Sequence, residues 1–114
     1  MSELSDHNLI DPAEAARRHA EGALFVDVRR PEARVENGVL PAALAVAKIE
    51  VSRRFGTESD IDHDRDIVVF CSSERGSGPV VDTLAELGYT RVSHIHGGFG
   101  AWKEQGFETT PHDA

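Results

Sequence analysis

The chain has 114 residues, 39% of them hydrophobic and 28% charged, which suits one folded domain with a single core and excludes a disordered chain. Its formal net charge of -8 argues against nucleic acid and against an anionic membrane surface as partners, because phosphate binding needs clustered Lys and Arg. No apolar run reaches the length of a membrane span, and residues 1–6 lack the basic and apolar regions of a secretory leader, so the expected location is the cytoplasm.

Residues 1–8 read as a flexible tail, 9–110 as one domain and 111–114 as a C-terminal tail. Asp11-Pro12 opens a helix, with Asp11 as N-cap and Pro12 at the first helical position, and Gly22 closes it. Ala23 to Val28 is a short apolar run that ends on polar residues, as a buried strand does where it reaches a loop. Glu58 to Asp66 holds five carboxylates and reads as a solvated loop. Ile67-Val68-Val69-Phe70 is a second buried strand. Beyond it Val80, Val81, Leu84 and Leu87 recur at helical spacing, and Gly88 is placed to end that helix in a left-handed conformation. Val92 to His96 reads as a third strand, and a short helix follows Gly97-Gly98 through Trp102, whose simplest role is a core anchor. Strands that alternate with helices, two of them apolar on both faces, predict an α/β domain: a central, mainly parallel sheet of about five strands with helices on both faces.

Cys71 is the only cysteine, so no internal disulfide and no cysteine-based zinc site is open to it. Its role is either packing, the usual fate of a lone free cysteine, or chemistry. It stands at the end of the second strand, where ligand sites of parallel sheets lie, and the run Cys71-Ser72-Ser73-Glu74-Arg75-Gly76-Ser77 separates it from a helix expected to begin near Ser77-Gly78-Pro79. A thiol is mostly protonated at neutral pH; a helix N-terminus and a nearby cation favour the thiolate, and Arg75 is the candidate cation in the loop. A tight loop at Gly76 would also turn backbone N–H groups towards an anion. This placement favours the reactive reading. Asp27 and Arg29 are expected to hold loops at a strand end, and Lys48 to line the site entrance. His94 and His96, two apart on a strand, share a face, but no third ligand stands near, so no metal is expected.

Four landmarks occur in order: Val26-Asp27-Val28-Arg29, Gly38-Val39-Leu40-Pro41-Ala42-Ala43, the cysteine loop, and Gly97-Gly98-Phe99-Gly100-Ala101-Trp102. In that order they resemble the rhodanese-like (sulfurtransferase) family, single-domain type, from about Leu9 to about Phe107. The resemblance implies that Cys71 accepts sulfur as a persulfide and that Ser72, Ser73, Glu74, Arg75, Gly76 and Ser77 form the loop cradling it. It implies a small sulfur donor such as thiosulfate and an external thiol or protein acceptor; no cofactor is expected, and the sequence does not fix the oligomeric state, a monomer being favoured. The departures are Val39 and Ala42, where the family usually has His and Gly, and Glu74 and Gly76, where the loop often has Gly and Arg. A non-catalytic rhodanese-homology module that binds a partner or senses oxidation is the alternative. A cysteine phosphatase would need Arg six residues after the cysteine, and Ser77 stands there.

Overall fold

A computed structural model describes residues 8–56 and 59–111, except for the side chain of Glu74. Most of the expected N-terminal tail, residues 112–114 of the expected C-terminal tail, and Glu58 of the acidic loop lie outside the described residues.

The described strands are β1 (Leu9–Ile10), β2 (Leu24–Asp27), β3 (Leu44–Ala45), β4 (Ile67–Phe70) and β5 (Val92–Ile95). They form one sheet in the order β1-β5-β4-β2-β3, and every pairing is parallel. The helices are α1 (Pro12–Ala20), α2 (Pro31–Asn37), α3 (Val51–Arg54), α4 (Glu74–Glu86) and α5 (Gly98–Glu104), with a 3-10 turn at Lys48–Glu50 leading into α3. None of the described helices is long and apolar enough to cross a membrane.

The alternation of β4 divides the core. Ile67, Val69 and Cys71 point to one face, where Val51, Phe55, Val80, Val81 and Leu84 from α3, α4 and the turn after α3 cover them. Val68 and Phe70 point to the other, where Ala15 of α1 and Phe99 and Trp102 of α5 pack. Helices therefore lie on both faces, as the alternating pattern predicts, and Trp102 is the expected core anchor at 2% exposure.

Local chemistry sets the helix ends. Asp11 caps α1 by accepting from the Glu14 N–H at 2.9 Å, with Pro12 at its first position. On the outer face of α1 Arg17 and Arg18 donate to Glu14 and hold its carboxyl down to about 2. Gly88, at φ +101, ends the chain's turn out of α4 in the conformation expected of it.

The start of α4 corrects the sequence reading. The helix begins at Glu74 with Ser73 as N-cap, and Pro79 lies inside it. Gly-Ser-Gly-Pro resembles a helix entrance because Pro is best tolerated in the first turn. Here packing overrides propensity: Val80, Val81 and Leu84 seal one face of the sheet, and the helix runs through Pro79, which has no N–H for the Arg75 carbonyl. The interval between strand and helix is thus only Cys71, Ser72 and Ser73.

Candidate active site

From β2 the chain moves outward to β3, whereas from β4 it moves the opposite way to β5, so the strand order reverses between β2 and β4. Open parallel sheets leave a crevice beyond the strand ends at such a point. Two segments enter it side by side, since Asp27 pairs with Phe70 and the Val28 N–H donates to the Phe70 carbonyl at 3.0 Å.

On the β2 side the residues are charged and buried. Asp27 accepts from Arg29 Nε at 3.0 Å and Nη2 at 2.7 Å, from the Arg29 backbone N–H at 3.0 Å, and from Arg34 Nε at 3.2 Å. Arg29 also donates to the Gly38 carbonyl, and Arg34 to the carbonyls of Asp27 and Arg29. The Arg29 guanidinium lies 3.9 Å from the centroid of the Phe99 ring, a cation-π contact in a desolvated place. Its Nη1 has no hydrogen-bond partner among the described residues. Asp27 and Arg29 thus join β2, the Gly38 turn and α5.

On the β4 side the residues are small. Cys71 is a free cysteine, 8% exposed, at the edge of the core. Its carbonyl accepts from the Phe99 N–H at 2.8 Å, and the backbone of Gly98 closes so tightly that a Cβ there would lie 2.7 Å from the Cys71 oxygen and 2.6 Å from that of Ser72. Gly98 also sits at φ +64, so both sterics and backbone conformation call for glycine. The first turn of α4 then bends over the sulfur. A Cβ on Gly76 would stand 2.5 Å from Cys71 Sγ and 2.9 Å from Lys48 Nζ.

Above the sulfur opens a cleft of about 460 Å³, lined by Arg30, Glu32, Ala33, Glu36, Lys48, Cys71 and Ser72. Of the residues expected to cradle the sulfur, Cys71 and Ser72 line this cleft and Gly76 packs on Sγ. Ser73 and Arg75 are exposed, and Arg75 is not among the lining residues. The side chain of Glu74 lies outside the described residues. Ser77 is wholly buried beneath the turn, its hydroxyl 2.8 Å from His94 Nδ1. His94 is therefore tied into the interior at the foot of the site. His96, past the end of β5, is exposed, in contrast to the buried His94.

The α2 wall was not read from the sequence, although its signals are present. Pro31 follows Arg30 as it would at a first helical position, and Glu32 and Glu36 are four apart, hence on one helix face. Lys48 does line the site, as expected.

A parallel sheet with a lone thiol at its switch point, roofed by the first turn of the following helix, defines a class of small single-cysteine α/β domains. The chain belongs to the rhodanese-like domain family, whose model matches residues 11–105. A relative from Allochromatium vinosum named sulfurtransferase is 36% identical over 101 residues, covering 87% of this chain and 91% of that protein. A thiosulfate sulfurtransferase GlpE from Pseudomonas syringae is 28% identical and covers 88% and 91% of the two chains. Among solved structures, a Rhodopseudomonas palustris protein of unknown function, described as a possible tyrosine phosphatase, superposes with a TM-score of 0.81 at 23% identity, covering 94% of this chain and 89% of that one. That likeness extends to the fold alone. In this chain the position six after Cys71 holds the buried Ser77, which offers no guanidinium to a phosphate.

Proposed function

We propose that this chain is a rhodanese-type sulfurtransferase that moves a sulfane sulfur from a small donor such as thiosulfate to an external acceptor through a persulfide on Cys71. The observation that carries this reading is the position of Sγ: at the end of β4, on the floor of the cleft, directly under Gly76. A nucleophile there is reachable by a small donor and shielded from bulk water on its core side. The Cys71 thiolate attacks the outer sulfur of thiosulfate, a new S–S bond forms as the donor's S–S bond breaks, and sulfite leaves with the electron pair. The acceptor then attacks the outer sulfur of the persulfide and regenerates the thiolate. With no second cysteine in the chain, that acceptor comes from outside, as a small thiol or a partner protein. The backbone from Ser72 to Ser77 is the proposed cradle of the outer sulfur. The chain is proposed to work as a monomer in the cytoplasm.

Cys71→Ser replaces the sulfur with a much weaker nucleophile of nearly the same shape. The expected outcome is complete loss of thiocyanate formation from thiosulfate and cyanide, with an unchanged circular dichroism spectrum. Retained transfer in the folded variant would rule out the persulfide route. A folded wild-type protein without transfer would instead favour the partner-binding or redox-sensing module.

A further inference from the structure

β3 lies against the end of β2, and the Val46 N–H donates to the Asp27 carbonyl at 2.9 Å, so the turn that follows begins at a fixed height beside the cleft. Lys48 is the first residue of that turn, and its ammonium nitrogen reaches the space above Cys71. Residue 76 leaves that space open because it is glycine: the point where its Cβ would stand is 2.5 Å from the sulfur and 2.9 Å from the ammonium nitrogen. Sulfur and cation thus meet across one vacant side-chain position. Lys48 forms no ion pair or side-chain hydrogen bond among the described residues, while Arg17, Arg18, Arg29, Arg34 and Arg53 are all committed to carboxylates. Arg30 lines the same cleft and brings a second positive charge, while Glu32 and Glu36 carry the opposite charge; Lys48 is the one whose nitrogen is placed beside the sulfur.

A lysine ammonium facing a sulfur on a cleft floor, with no counter-ion among the described residues, is matched to negative charge that a ligand brings or that forms on the sulfur. We propose that Lys48 is the cation of the sulfur site: it holds the anionic end of the donor against Cys71 and then faces the negatively charged outer sulfur of the persulfide. The inference rests on the sulfurtransferase reading above for the identity of the donor. In the first half-reaction the total charge of thiolate plus thiosulfate equals that of persulfide plus sulfite, so Lys48 neither gives nor takes a proton; it stabilises charge as it moves from Cys71 to the departing sulfite.

The test separates the local field from the sulfur chemistry. Alkylation of Cys71 by iodoacetate and by iodoacetamide follows the same displacement with an anionic and a neutral reagent, so the ratio of their rates reports the charge at the sulfur whatever fraction of the thiol is ionised. Lys48→Gln is expected to lower that ratio on the order of fivefold and to remove most of its dependence on salt, while Lys48→Arg keeps it. In parallel, kcat/KM for thiosulfate should fall about tenfold in Lys48→Gln and be largely restored in Lys48→Arg. An unchanged alkylation ratio in Lys48→Gln would overturn the proposal, whatever the thiosulfate activity. A lowered ratio in a protein whose wild type transfers no sulfur would overturn the sulfurtransferase reading and keep Lys48 as the cation at Cys71.

Discussion

The ends of β2 and β4 are neighbours in one sheet, joined in register from Leu24-Ile67 to Asp27-Phe70, yet they are built from opposite materials. At the end of β2 the chain turns through Asp27, Val28 and Arg29, a buried carboxylate and guanidinium that pair through two hydrogen bonds, with Arg29 also bonded to the Gly38 carbonyl. Beyond β4 it turns through Cys71, Ser72 and Ser73, small residues with no carboxylate or guanidinium, below the cleft that opens above the sulfur. The difference assigns roles. A buried ion pair fixes geometry at a desolvation cost, and it tolerates the loss of neither partner. Small residues under a helix turn fix little on their own and give a reagent access. The β2 end is therefore the frame of the site and the β4 end, on the proposed function, its reactive floor, and substitutions should divide accordingly between stability and activity.

The sharpest way to break this division is at Asp27. Asp27→Asn keeps the shape but leaves the Arg29 guanidinium buried without its counter-charge. The expected loss of stability is about 3–5 kcal/mol, read as a lower urea midpoint with a similar slope. A variant within about 1 kcal/mol of wild type would show that the pair does not hold the frame.

Gly76→Ala is the corresponding probe of the floor. Its methyl group would stand 2.5 Å from Sγ, so the sulfur or the helix turn must shift. Stability should fall by about 1–3 kcal/mol, as for an overpacked site, while sulfur transfer falls on the order of 100-fold because the reacting atom is displaced. Equal stability with full activity would mean that the first turn of α4 yields freely and does not define the site.

The smallest expected effect lies on the frame side. Ala42 has φ +67, a left-handed conformation that an alanine Cβ disfavours. Ala42→Gly should therefore raise stability by about 0.5–1 kcal/mol in thermal or urea unfolding, with thiosulfate activity unchanged. A changed activity would extend the reactive region across the sheet to this turn.

What the sequence disclosed follows the same physical lines. β4 is legible as a wholly apolar run and β2 as an apolar run ending on Asp27, while in β5 only Val92 and Ile95 are apolar and Ser93 and His94 are polar; Asp11-Pro12 marks α1 through its capping chemistry. β1 and β3 are two residues each; a pair of residues has no periodicity, and what makes them strands is backbone pairing with distant segments. α2 buries none of its residues and so shows no apolar stripe; Arg34, bonded back to Asp27, holds it in place. At the site, Cys71 stands out as a lone thiol at the end of a strand. The start of α4 does not, because Pro79 reads as a first-turn residue, whereas the packing of Val80, Val81 and Leu84 on the sheet carries the helix through it. Ser77 and His94 lie 17 residues apart, and their hydrogen bond exists only once α4 packs on β5. Lys48 belongs to the same kind: its place in the loop is visible, its reach to the sulfur is not.

The central claim is that the outer sulfur of the donor comes to rest on Cys71. Intact-protein mass spectrometry after incubation with thiosulfate and removal of excess donor tests it directly, with fragmentation to locate the added mass. The expected result is the addition of one sulfur atom, confined to the peptide that contains Cys71, removed by cyanide with formation of thiocyanate and absent from Cys71→Ser. An unmodified Cys71 in a folded protein that nonetheless produces thiocyanate, or an added sulfur that cyanide does not remove, would contradict it.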